Sequence, residues 1–94
     1  MDKIDRFDIE ILYYLYENEL KSKLSSSKVK DIMINSESKS TYYTYINRLK
    51  KLIENKMVDE GYKSGNAKCY YITELGSKYL ENNILNDNTI IEEE

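Results

Sequence analysis

The chain has 94 residues and a net charge of −3, with 40% hydrophobic and 33% charged residues, ten Tyr, one Phe and no Trp. That supports one small domain with a modest core, expected over residues 1–86. A single Cys excludes an internal disulfide, and the lack of His removes the commonest zinc ligand and general base; no apolar run approaches the ~20 residues of a membrane span, and no signal-peptide pattern opens the sequence.

Residues 4–18 predict a first helix. Ile4, Phe7, Ile11, Tyr14 and Leu15 recur at helical spacing, and Leu12 widens the stripe. Asp2 and Asp5 stand at its start, where carboxylates favour the helix dipole. The polar break 25–27 follows, with Ser27 expected to cap a short helix over residues 28–34. The turn 35–40 then leads into a third helix, capped by Ser38 or Ser40 and ending near Asn55. Its stripe of Tyr42, Tyr45, Leu49 and Leu52, with Ile46 and Ile53 alongside, is expected in the core. The opposite stripe holds Ser40, Tyr43, Thr44, Asn47 and Lys51, with Arg48 at its edge.

Residues 57–62 and 68–73 predict two strands. The turn between them carries Gly65 and Asn66, which tolerate positive φ. Alternation places Tyr70 and Ile72 on one face, with Cys69 and Tyr71 on the other. Thr73 is expected to cap a last helix over residues 74–86, with Leu75, Tyr79, Leu80, Ile84 and Leu85 as its apolar positions. Residues 87–94 are polar and acidic except for Ile90 and Ile91, and are expected to form a disordered tail. The fold class expected is therefore mainly α with a small β-hairpin (α+β).

Charge is unevenly spread. Residues 1–20 carry two basic and six acidic groups, and residues 21–51 carry eight basic and two acidic. Residues 52–80 carry four of each, and residues 81–94 carry five acidic groups and no basic one. Phosphate affinity follows the local field at a docking face, so a net-acidic chain can bind DNA through its positive block.

Two patterns carry a resemblance. One is L-K-K-L-I-E-N-K-M-V at residues 49–58, and the other is Y-Y-I-T-E-L-G at residues 70–76. With three helices, a hairpin and a helix in that order, they resemble winged helix-turn-helix proteins of the MarR and PadR type. A looser likeness is to winged-helix proteins of archaeal plasmids and viruses, including plasmid-partition proteins. Lys56 stands where the family usually has glycine, so that helix end is expected to lack its left-handed cap.

The resemblance implies a DNA-binding protein with its third helix in a major groove. There Asn47 would pair with adenine and Arg48 with guanine, while Tyr43 and Thr44 would meet a thymine methyl or a phosphate. Ser38, Lys39, Ser40, Thr41 and Lys51 are expected phosphate contacts. Lys63, Ser64 and Lys68 would touch the backbone from the hairpin, and Lys28 and Lys30 would flank. A homodimer on a palindromic site is expected, with Tyr13, Tyr16, Leu20, Tyr79 and Leu85 as interface candidates.

The main functional expectation is a homodimeric transcriptional regulator in the cytoplasm, associated with nucleoid or plasmid DNA. The alternatives are a partition protein that coats a centromere-like site and a winged helix that binds protein. Catalysis is not expected, because there is no glycine-rich phosphate loop and no recognisable carboxylate pair. Asp59-Glu60 reads as a solvated pair and Cys69 as an inert thiol. No metal or cofactor is expected.

Overall fold

Residues 3–85 are described by the computed structural model, so Asp2, Asn86 and the acidic tail at 87–94 lie outside the described residues. The order is α1 (Arg6–Glu17), β1 (Ser27–Lys28), α2 (Val29–Ile34), α3 (Tyr42–Glu54), β2 (Val58–Glu60), β3 (Cys69–Ile72) and α4 (Glu74–Leu80), closed by a π-helical turn at Glu81–Leu85. The core is one cluster that draws on every helix, with Ile11, Leu12, Leu15, Ile32, Tyr45, Leu49, Leu52, Ile72 and Leu80 among its buried members.

Local chemistry sets the helix ends. Asp5 caps α1 by accepting from the Asp8 N–H at 3.1 Å, while the Asp8 carboxylate accepts from the Asp5 N–H at 3.1 Å. This reciprocal box satisfies two of the free donors of the first turn. Thr41, one residue beyond the expected serines, caps α3 through the Thr44 N–H, and Thr73 caps α4 through the Gly76 N–H. Three C-caps repeat one device. Asn18, Asn35 and Asn55 each donate a side-chain N–H to the carbonyl four residues back, at 2.8, 2.8 and 2.9 Å.

Lys56 corrects an expectation. It adopts the left-handed conformation itself, at φ 64°. Its N–H reaches the Ile53 carbonyl at 2.9 Å, and the Met57 N–H reaches the Leu52 carbonyl at 2.9 Å. Those two bonds make a Schellman motif. Glu19, at φ 55°, closes α1 the same way, with Glu19 on Tyr16 and Leu20 on Leu15. Burial of Leu52 and Met57 holds Lys56 in a conformation that a side chain disfavours by about 1–2 kcal/mol. Lys56→Gly is therefore expected to raise unfolding stability by about 0.5–1 kcal/mol, the relief being offset in part by glycine's freedom when unfolded. Urea denaturation measures it.

The sheet has three strands where two were expected. Ser27 is not a helix cap. It pairs with Tyr70 and Lys28 pairs with Cys69, making β1 an antiparallel neighbour of β3, which also pairs with β2 (Val58↔Ile72 to Glu60↔Tyr70). Its hydroxyl lies 3.3 Å from the Tyr14 hydroxyl and donates to the Lys28 carbonyl. As the central strand, β3 has Cys69, Tyr70 and Ile72 buried, so its alternation does not separate a wet face from a dry one. Ser64 and Ala67 exchange backbone bonds of 3.0 Å at the hairpin tip. Gly65 alone takes positive φ there, at 63°, as the first central residue of a type II′ turn requires.

Candidate nucleic-acid interface

The third helix divides its side chains differently from the expected pattern. Tyr45, Leu49 and Leu52 are buried, and the Tyr45 hydroxyl donates to the Ser38 carbonyl. Tyr42 is not in the core. It is the first helical residue after the Thr41 cap, and it stands 52% exposed at the edge of the packed layer.

The larger correction concerns Arg48 and Lys51. Both turn toward the start of α1 and not outward. Arg48 meets Asp5 at 2.5 Å and Asp8 at 3.5 Å, and its guanidinium lies 4.7 Å over the Phe7 ring. Lys51 meets Asp8 at 2.5 Å and donates to the Lys3 carbonyl at 3.0 Å. Asp8 is fully buried. A buried carboxylate is tolerable only when paired and hydrogen-bonded, and here two cations and a backbone N–H supply that. The hydrogen bond from Arg48 holds the Asp5 carboxyl well below the usual carboxylate range against the opposing effect of burial, with the Asp8 N–H adding to it.

The outward stripe of α3 is Tyr43, Asn47 and Lys50, all exposed, with Tyr43 at 77%. Spacings of four and three put them on one line along the helix. Lys50 was missed by the sequence reading. The 43, 47, 50 spacing points to it, but Lys51 beside it looked equally suitable. Thr41 and Thr44 share a hydroxyl contact of 3.1 Å, so both serve the cap. Ser40 is exposed beside them.

The turn before α3 is pinned to α1 by Glu10. Its carboxylate accepts from the Ser36 hydroxyl at 3.0 Å and from the Ser38 N–H at 3.1 Å. Burial opposes its charge, but the Ser38 and Ser36 hydrogen bonds and the Arg6 charge outweigh that and lower its pKa. Ser38 is thus half-buried against Glu10 and does not project as a phosphate contact. Lys39 is exposed, with its Nζ donating to the Ser36 carbonyl at 3.2 Å.

Lys28, Lys30 and Lys68 come together beside this helix. They line a notch of about 280 Å³ with Val29, Tyr42 and Ala67. Lys63 and Ser64 lie exposed at the hairpin tip. Asp59 and Glu60 are exposed on β2, and Glu60 faces Lys68 at 3.8 Å.

The interface candidates for pairing also divide. Tyr13 is exposed, whereas Tyr16, Leu20 and Tyr79 are half-buried against the core. The Tyr16 hydroxyl donates to Glu81 at 2.8 Å, and Lys21 lies 4.5 Å from its ring centre. Leu85 is half-buried at the end of the π-helical turn. Tyr13 borders a groove of about 490 Å³ whose apolar walls are Ile9, Tyr14 and Ile84.

Among the described residues, no group of three or more His, Cys, Asp or Glu side chains is placed to hold a metal ion, and no helix is long and apolar enough to cross a membrane. No protein-family model and no curated protein matches the chain. Three solved structures do resemble it. TubR from Bacillus megaterium pBM400 superposes with a TM-score of 0.72 at 23% identity, over 84% of each chain. The DNA-binding TubR fragment from Clostridium botulinum gives 0.67 at 28% identity, over 86% of this chain and 98% of that one. AF1382 from Archaeoglobus fulgidus gives 0.71 at 21% identity, over 96% of this chain and 91% of that one. The fold is a winged helix. In that frame α2, the turn and α3 are the helix-turn-helix, and the β2–β3 hairpin is the wing.

Proposed function

We propose that this winged helix binds double-stranded DNA as a plasmid-partition protein. The observation that carries the reading is an exposed polar stripe on α3 with a lysine-lined notch at the start of the same helix. The stripe is Tyr43, Asn47 and Lys50, and the notch sets Tyr42 of α3 beside Lys28, Lys30 and Lys68. The likeness to two TubR structures, one of them a DNA-binding fragment, supports the partition reading over a MarR- or PadR-type transcriptional regulator. In this reading Asn47 meets a base edge, Tyr43 meets a thymine methyl or a phosphate, and Ser40, Lys39 and Lys50 meet the backbone. Lys63 and Ser64 extend the backbone contacts along the wing. Arg48 and Lys51 are assigned to holding α3 against α1, not to the groove.

Two copies would pair through the groove beside Tyr13, whose apolar walls come from α1 and the π-helical turn and whose lining includes no residue of α3. A two-fold pair of recognition helices suits repeated half-sites.

Footprinting on the DNA around the chain's own gene separates the roles. A footprint that lengthens with protein concentration is the expected result, whereas one fixed protected palindrome would favour the regulator. No protection of any DNA would favour the protein-binding alternative. On the protected sequence, Asn47→Ala is expected to cost about 1–3 kcal/mol, while Lys50→Ala weakens all sequences alike and lowers the salt slope by about one. Equal losses for both variants on every DNA would refute that division.

A further inference from the structure

The three lysines of the notch come from separate parts of the chain. Lys28 lies on β1, paired with Cys69, and Lys68 immediately precedes Cys69 on the wing. Lys30 lies on the first turn of α2. Tyr42, at the start of α3, closes the side nearest the recognition helix. Strand pairing therefore brings together cations that lie about 40 positions apart in sequence.

Like charges do not gather on one small concave surface without cost. Surface lysines usually spread, because mutual repulsion destabilises the folded chain. Among the described residues, the one carboxylate in a salt bridge with any of these three lysines is Glu60, 3.8 Å from Lys68. Both members of that pair are about half exposed, so it is worth little and exchanges readily for a stronger anion. The notch is concave and is lined by Tyr42 and by three lysines, whose amines can rotate. Those features suit a compact, tetrahedral phosphate better than a planar carboxylate, since lysine acts as a point charge and not as a bidentate fork.

We propose that the notch seats a single DNA backbone phosphate, on which Lys28, Lys30 and Lys68 converge, with the Tyr42 ring against the adjoining deoxyribose. The proposal rests on the DNA-binding reading above and deepens it. The seat fixes the distance between the wing and the recognition helix along the duplex. Phosphate capture there positions α3, and the α3 stripe then reads the groove.

Salt dependence tests the convergence, because its slope counts neutralised phosphates and not lysines. Binding of the full chain to a fluorescent generic duplex is measured by anisotropy between about 50 and 200 mM salt. The triple variant Lys28→Ala, Lys30→Ala, Lys68→Ala is expected to bind more weakly, with a logarithmic slope smaller by about 0.9, the value of one phosphate. A slope smaller by roughly 2.7 would mean three separate phosphates and would overturn the single seat. An unchanged slope would remove the notch from the interface altogether. Glu60→Gln frees Lys68 and is expected to tighten binding by about two- to fivefold in the otherwise unaltered chain, and by nothing in the triple variant. If the unaltered chain binds no duplex at low salt, the DNA-binding reading itself fails, and that outcome is distinct from the others.

Discussion

Asp8→Ala is expected to lower unfolding stability by about 3 kcal/mol, among the largest single-residue effects in the chain. The substitution removes a fully buried carboxylate that neutralises Lys51 at 2.5 Å and Arg48 at 3.5 Å. It also removes half of the α1 capping box. Breaking a buried pair by deleting one partner commonly costs about 3–5 kcal/mol, because the other charge stays in a poorly solvated place. Here the cation side chains keep 27% and 19% exposure, so each recovers some water and the loss falls at the low end. A Tm decrease of more than about 10 °C in a thermal melt is the readout. The triple replacement Asp8→Leu, Arg48→Met, Lys51→Met is expected to recover most of that loss, since an apolar substitute spares the desolvation of all three charges. A triple variant no more stable than Asp8→Ala would show that packing, not charge, dominates the site.

The same cluster sets the acid response. The Asp5 pKa is depressed in the folded chain, chiefly by the Arg48 hydrogen bond. A depressed carboxyl contributes stability that is complete above the ordinary aspartate range and is lost as pH falls below it. Glu10 has the same sign, through Ser38 and Ser36. Stability is therefore expected to decline as pH drops through and below the carboxylate range. Arg48→Met is expected to flatten that decline. The Asp5 side chain is about half exposed, so solvent screening moderates its share.

Gly76→Ala is the second large effect, with an expected loss of about 2 kcal/mol. Its sign runs against helix propensity, because alanine in a helix is ordinarily favoured over glycine by about 1 kcal/mol. At this position a Cβ would meet the Met57 carbonyl oxygen at 2.4 Å and the Ile72 Cγ1 at 2.8 Å. The first obstacle is backbone and cannot rotate away. Thr73, the α4 cap, donates its hydroxyl to the Lys56 carbonyl at 2.7 Å, and its N–H donates to the Met57 carbonyl at 2.9 Å. The start of α4 is thus seated directly on the end of α3, and the threonine and glycine of the T-E-L-G pattern are the two residues that permit it. Gly65→Ala makes a useful comparison. There a Cβ meets nothing within 4 Å and only the positive φ is at issue, so the loss should be near 1 kcal/mol. A denaturation series that ranks Gly76→Ala above Gly65→Ala bears this out, and the reverse order would refute it.

Much of this molecule was legible in the chain. Apolar spacing located all four helices, because a face must repeat at the helical period to reach a core. The Thr73 cap, the Gly65 turn and the strands around it follow from local chemistry that needs no distant partner. The positive block was also visible, as was the α3 face carrying Tyr43 and Asn47.

Only the tertiary structure decided where three of the candidate side chains go. Arg48 and Lys51 read as outward cations because the carboxylates that hold them are distant in sequence. Their partner carboxylates lie 40 and 43 positions earlier for Arg48, on a helix whose placement depends on packing. Tyr42 falls on the apolar stripe of α3 by spacing, yet it is the first residue of the helix and the core ends before reaching it. The pairing of Ser27 and Lys28 with β3 escaped notice for a similar reason, since a two-residue strand has no period to detect. Local sequence determines which faces a helix has. What each face meets depends on long-range packing, and that choice moved two cations out of the groove-facing stripe and gathered three lysines around Tyr42.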